Sequence, residues 1–151
     1  DKSSFTYNGM VQKPVIKTIK GWELKEGTDY TVKWSDESSK NAGTYKIKVK
    51  MMGNYSGSKT LTLTVNPISA NKCTASLSTT QYTYNGKKRT PEVTVKNAGG
   101  TKLKKGTHYT VSYPEGRKAV GTYEVTVKMI GNYSGTKTLT FKINPKAKAT
   151  R

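Results

Sequence analysis

The sequence predicts an all-β fold made of two tandem antiparallel β-sandwich domains arranged end to end. Three observations carry this prediction. The chain repeats itself once at a spacing of 77 to 79 residues, apolar and polar residues alternate over short runs, and glycine-containing turn sequences separate those runs. A repeat of that length is about the size of a small domain.

The repeat is carried by four segments that occur once in each copy. They are residues 7–9 and 84–86, 27–32 and 106–111, 43–45 and 121–123, and 51–57 and 129–135. Each copy closes with Asn-Pro, so we predict domains at 1–68 and 69–151. Residues 71–80 have no counterpart in the first copy. We therefore expect that the first copy lacks its first strand or begins it upstream of Asp1, and that the chain is a piece of a longer tandem array.

The strands are predicted from strict alternation. Tyr45, Ile47, Val49 and Met51 alternate with lysines, and the second copy repeats this arrangement over residues 123–129. Alternation of this kind predicts antiparallel sheets with one face in water. Six or seven short strands in each copy, separated by turn residues, are typical of a small β-sandwich of immunoglobulin-like type. The three lysines on the polar face of residues 45–51 are interpreted as protection of a sheet edge.

The connection between the copies is short. Only residues 68–71 separate Pro67 from the next predicted strand, and none of them is glycine. A short connection that follows a proline restricts rotation between domains, so we expect an end-to-end arrangement.

Composition argues against enzymatic chemistry. Cys73 is the only cysteine and His108 the only histidine, so neither an internal disulfide, a metal cluster nor a Cys–His pair can be assembled. Glu23, Glu26 and Asp29 align with two lysines and His108, so no carboxylate pair is shared by the copies. No apolar run is long enough for a membrane helix. We therefore predict a non-enzymatic protein with no cofactor and no metal.

The repeated motifs resemble the bacterial immunoglobulin-like repeats that occur in tandem on surface proteins of Gram-positive gut bacteria. The resemblance covers nearly the whole chain twice, and in the second copy it runs through residues 84–87, Pro91, 103–111, 121–128 and 131–136. It implies an extracellular protein, attached to the cell wall or secreted, in which such repeats serve as stalks, wall-associated modules or binding domains. It leaves the ligand open.

The chain carries a net charge of +18, and this charge is unevenly distributed. Residues 1–68 hold 11 lysines against 6 acidic residues, a net of +5. Residues 69–151 hold 16 basic residues against 3 acidic ones, a net of +13. A field of this sign attracts anionic polymers such as teichoic acids and acidic glycans. Since there is no basic helix and arginine is scarce, we do not expect nucleic acid to be the target. A surface that only maintains solubility is the alternative.

Eight residues are candidates for ligand contact. One basic cluster, residues 87–89, follows the predicted turn at 84–86, and a second flanks the predicted turn at Gly106. They would form one patch if both turns lay at the same end of the sandwich; otherwise they are separate solvated turns. A tyrosine at a predicted turn and a tryptophan without an aromatic counterpart in the other copy are candidate anchors, although large aromatic side chains are usually buried. The eight candidates are Trp22, Tyr84, Lys87, Lys88, Arg89, Lys102, Lys104 and Lys105.

Two functions remain open from the sequence. The first is a surface binding module or adhesin, monomeric within its array, whose partner is a host protein such as a glycoprotein or an immunoglobulin, or an anionic polymer. A strand edge could dock against another sheet in such a complex. The second is a passive stalk that holds another domain away from the wall.

Overall fold

The computed structural model describes residues 4–14, 23–35 and 39–148. The chain divides into two compact units, Asp1–Pro67 and Ile68–Arg151. Nearly all regular structure is β, which confirms the predicted all-β sandwich class. The end-to-end arrangement of the domains stays a prediction.

The first unit contains a four-stranded sheet in the order β1-β4-β3-β2. Its strands are β1 (Ser4–Thr6), β2 (Tyr30–Trp34), β3 (Gly43–Met51) and β4 (Ser58–Asn66). β3 lies between β2 and β4 and is antiparallel to both, whereas β1 runs parallel to the end of β4.

The second unit contains three sheets. The largest has the order β7-β12-β10-β9, and two smaller sheets pair β6 with β8 and β5 with β11. The strands are β5 (Ile68–Ser69), β6 (Thr74–Leu77), β7 (Gln81–Thr83), β8 (Val93–Lys96), β9 (Tyr109–Ser112), β10 (Gly121–Met129), β11 (Tyr133–Ser134) and β12 (Thr136–Asn144). A single 3₁₀ turn, η1 (Ala70–Lys72), connects β5 to β6.

Each unit has a core made by the alternating apolar residues of its central strands. In the first unit Ile47, Val49, Leu63 and Val65 are buried. In the second unit the buried residues of β10 and β12 pack against those of β8 and against Leu103, so two layers enclose one core. The lysines that alternate with the buried residues of β3 are exposed. The predicted assignment of inward and outward faces is therefore observed in both units.

The two large sheets share strand order and register. Tyr30 pairs with Met51 in the first unit, and Tyr109 pairs with Met129 in the second. In each unit the first strand of the sheet runs parallel to the last one. Parallel pairing was not part of the expectation from sequence, because alternation specifies which face a residue occupies but not the direction of the neighbouring strand. Among the described residues of the first unit, β6 has no counterpart.

Candidate functional site

The exposed face of the first sheet carries a row of lysines. Lys46, Lys48 and Lys50 project from β3, and Lys33 of β2 lies directly opposite Lys48. Since β3 is a central strand, the interpretation of these lysines as edge protection is wrong: the hydrogen-bonding groups of β3 are already paired on both sides. Sequence reasoning recognised the exposed row but missed Lys33, because pairing between strands cannot be read from a single strand.

The lysine row lacks compensating charge on its own sheet. The residues of β4 that pair with Lys46, Lys48 and Lys50 are Thr62, Thr60 and Ser58. No ion pair links any of the four ammonium groups to another residue within the described ranges 4–14, 23–35 and 39–148. Like charges placed directly opposite each other across two strands destabilise a sheet. The Lys33–Lys48 pair is therefore a feature that folding alone does not favour.

The second unit places its paired lysines on a different sheet. The positions that match Lys33, Lys46 and Lys48 hold Ser112, Glu124 and Thr126, as the shared register shows. Its lysine pair is instead Lys96 with Lys102, which face each other at the end of β8.

The side chains of Lys96 and Lys102 are exposed, while the adjacent Val95 and Leu103 are buried. Lys96 and Lys102 therefore project away from the core. Lys104 follows Leu103 and is exposed as well. Each unit thus has one directly opposed lysine pair on a solvent-exposed β surface.

The two predicted basic clusters of the second unit do not form one patch. The first follows β7, whose last residue, Thr83, pairs with Asn144 at the end of β12. The second includes Lys104 and Lys105, which precede β9 and therefore lie where β10 ends at Met129. The nine-residue β10 separates these ends by about 26 Å. Sequence alone could not decide this, because it depends on strand order.

The members of the first cluster have different environments. Lys87 and Lys88 are exposed. The guanidinium of Arg89 instead stacks over the ring of Tyr82, at 4.6 Å from the centroid, and donates a hydrogen bond to the carbonyl of Thr83. Its Nε is buried without a partner among the described residues. Arg89 thus contributes to the internal packing of the loop.

Arg117 is a structural residue that sequence reasoning missed. It is buried, its Nε donates to the carbonyl of Arg89 at 2.9 Å, and its terminal nitrogens donate to the carbonyl of Pro114 and the hydroxyl of Thr90. Its guanidinium also stacks on Tyr113. These contacts join the loop after β7 to the loop before β10, where Tyr84 is 42% exposed.

A cavity of about 230 Å³ lies on the core side of the first sheet. Its lining includes Lys13, Glu26, Tyr30 and Trp34. The ammonium of Lys13 lies 5.8 Å from the Trp34 ring centroid. Trp22, the tryptophan that sequence reasoning selected, lies outside the described residues.

The pKa of the Tyr30 phenol beside this cavity is raised. Burial is the main cause, and the carboxylate of Glu26 adds to it. The phenol therefore remains neutral well into the alkaline range. Its ring lines the cavity as an apolar surface that carries one hydroxyl group. Within the described part of the chain, no group of three or more His, Cys, Asp and Glu side chains could hold a metal ion, and no helix has the length and apolarity to cross a membrane.

Comparison with known families gives one match, and it lies in the first unit. Residues 2–69 match the family model of the MBG domain. This is a domain family of bacterial surface proteins. The match covers less than half of the chain and coincides with the first unit. No curated protein is detectably similar to the chain. A non-enzymatic surface module is consistent with this match.

Proposed function

We propose that this protein is a non-enzymatic, extracellular surface module that binds an anionic polymer through its opposed lysine pairs. The observation that carries the proposal is the placement of Lys33 opposite Lys48 and of Lys96 opposite Lys102. Both pairs cost stability in the free protein, and a polyanion that bridges them would remove that cost.

The geometry of the first sheet suits a linear polyanion. Alternate residues on a strand are spaced by about 6.7 Å, so Lys46, Lys48 and Lys50 form a row of three ammonium groups about 13 Å long. A polymer with one phosphate or sulfate in each short repeat could place successive anions along such a row. Ammonium groups on flexible stems bind anions as point charges, which favours tolerance of different polymers over strict recognition. Wall teichoic acids and acidic glycans belong to this class.

The experiment is binding of the whole chain to a defined polyglycerol phosphate at several salt concentrations. Two double variants remove the pairs, Lys33→Thr with Lys48→Thr and Lys96→Thr with Lys102→Thr. The matched control is Lys128→Thr with Lys142→Thr, because these exposed lysines face threonine or glutamine and no lysine across their strands. All three variants lose two positive charges. Threonine is a good strand residue, so folding should be retained.

We expect each pair variant to weaken binding about tenfold at low salt. The slope of log affinity against log salt concentration should become shallower by the equivalent of about two ionic contacts. The control should weaken binding by less than about threefold. Equal losses in all three variants would show that only net charge matters and would contradict a role for the pairs. Absence of saturable binding would leave the passive stalk as the function.

A host protein is the second candidate partner, and the exposed residues at one end of the second sheet favour it. Tyr84 is 42% exposed and Val120 is 52% exposed. Both lie at the end where β7 and β12 finish and β10 begins. Tyrosine is enriched among the residues that anchor protein interfaces, and the exposed valine beside it enlarges the apolar surface. Saturable capture of a host glycoprotein or immunoglobulin that resists high salt and is lost in Tyr84→Ser would support this partner.

A further inference from the structure

A turn that binds a short strand in the second unit recurs in the first unit, where no described residue occupies it. In the second unit β5 runs parallel to β11, pairing Ile68 with Tyr133 and Ser69 with Ser134. The N–H of Ile68 donates to the carbonyl of Asn132 at 2.9 Å. Ala70 follows and is buried against the turn at Gly135. The segment that enters this unit therefore covers the turn between β10 and β12.

The corresponding turn of the first unit has the same backbone. Met51 N–H donates to the carbonyl of Gly57 at 2.8 Å, and Met129 N–H to that of Gly135 at 2.9 Å. Gly57 has a φ of 102° and Gly135 one of 99°. Residues 51–57 thus adopt the conformation that receives β5 in the second unit, and no described residue of the first unit forms such a strand beside them.

Exposure differs between the matching tyrosines of the two units. Tyr133 is flanked both by β5 and by the ring of His108, where the first unit has Asp29. Tyr133 is 7% exposed, whereas Tyr55 at the same position of the first unit is 36% exposed. A Cβ added to Gly135 would lie 3.1 Å from the Cβ of Ala70, but one added to Gly57 would meet nothing within 4 Å. The carbonyl of Asn54, which matches that of Asn132, has no hydrogen-bond partner among the described residues. The site on the first unit is open in the places where β5 and Ala70 fill the second.

We propose that the turn formed by residues 52–57 is a docking site for an extended segment of Asn-Pro-Ile-Ser-Ala type, delivered by polypeptide on the N-terminal side of β1. The segment would pair in parallel with Tyr55 and Ser56 and place its alanine against Gly57. This is addition of a strand to a preformed edge, in which backbone hydrogen bonds supply affinity and one small side chain supplies specificity. The chain itself shows the occupant, because residues 66–70 make this contact in the second unit.

The matching register of the two sheets shows where the added segment must be joined to the first unit. Ser4 matches Gln81, since each is the first residue paired with the last strand of its sheet. Residues 66–80 can therefore be joined directly ahead of Ser4 in the whole chain, replacing residues 1–3. The control is the same extension with Ile68→Asp and Ala70→Lys in the added copy alone. Amide hydrogen exchange and nitration of Tyr55 are measured in both proteins, with the original second unit as internal reference.

We expect the added isoleucine amide to exchange about tenfold more slowly than the aspartate amide of the control, after correction for sequence. Nitration of Tyr55 should fall by a similar factor. Equal exchange and equal nitration in the two proteins would overturn the proposal. Loss of protection in β3 of the extended protein would overturn it too, because a segment that disrupts the unit is not its complement.

Discussion

Asp29 and His108 make the same hydrogen bond in the two units although their chemistry differs. Asp29 Oδ2 accepts the N–H of Lys25 at 2.8 Å, and His108 Nδ1 accepts the N–H of Lys104 at 2.8 Å. Both side chains close the turn that precedes a strand, as short polar residues commonly do. The lone histidine of the chain is thus a turn residue that also packs edge-on against Tyr133.

This equivalence predicts which substitutions the turns tolerate. Asp29→Ala should lower the free energy of unfolding of the first unit by about 1 kcal/mol, because the N–H of Lys25 loses its partner. Asp29→Asn should cost less, since an amide oxygen can accept the same bond. Thermal unfolding of the two variants measures the difference. Equal losses would contradict a role for the acceptor atom.

Arg117 should be a major contributor to the stability of the second unit. Arg117→Ala removes the donor to the carbonyls of Arg89 and Pro114 and the stacking on Tyr113. We expect a loss of about 2 to 3 kcal/mol, since two part-buried carbonyls lose a charged donor and the aliphatic stem no longer packs. The exposed neighbour variant Lys118→Ala is the control and should change stability little. Chemical denaturation followed by tyrosine fluorescence measures both.

Cys73 should be unreactive in the native protein. Its side chain is 3% exposed, and burial raises the pKa of the thiol, opposed in part by the charge of Lys137. Because the thiolate is the reactive species, an aromatic disulfide reagent at pH 8 should modify Cys73 only when the second unit opens. The control carries Cys73→Ala with Ser76→Cys, which places a thiol on the exposed side of β6. Equal rates for the two proteins would show that burial does not protect Cys73.

Tyr30 should make the first unit sensitive to alkali. Burial, with a smaller effect of Glu26, raises the pKa of its phenol above the ordinary value of 10.0. The unfolded phenol ionises at that ordinary value while the folded one stays neutral. The contribution of the buried neutral phenol to the stability of the first unit is therefore complete below pH 10. It is lost as the pH rises through the pKa of the phenol in the folded state. Denaturation between pH 8 and 11 should show a smaller loss of stability for Tyr30→Phe than for the unaltered chain.

Removing one member of the Lys33–Lys48 pair should stabilise the first unit. Lys48→Thr relieves the cross-strand repulsion and places threonine beside Thr60. The gain should be about 0.5 kcal/mol at low salt and should vanish at high salt, where exposed charges are screened. Lys128→Thr in the second unit has no facing lysine and should give no gain. A stability unaffected by Lys48→Thr would show that the opposed charges carry no cost.

The sequence predicted more of the fold than of the site. Alternation identified the inward residues of β3 and β10, because side chains of a strand alternate between two faces whatever the neighbouring strands are. The candidate site depended on which strands are neighbours. Lys33 and Lys48 are 15 positions apart in the chain and gave no signal as a pair. The sequence predicts Arg89 as an exposed basic residue, yet its guanidinium stacks over the ring of Tyr82.

The sequence by itself determined the β class, the duplication and the assignment of residues to core or solvent, because these follow from local periodicity and from comparison of the chain with itself. Only the tertiary structure decided strand order and direction. These set which lysines face each other, place the two basic turns at opposite ends of the second sheet, and pair Ile68 with the buried Tyr133 while Tyr55 stays exposed. Such contacts form between segments that are distant in the chain. The local sequence around a residue does not specify which distant residue it will contact.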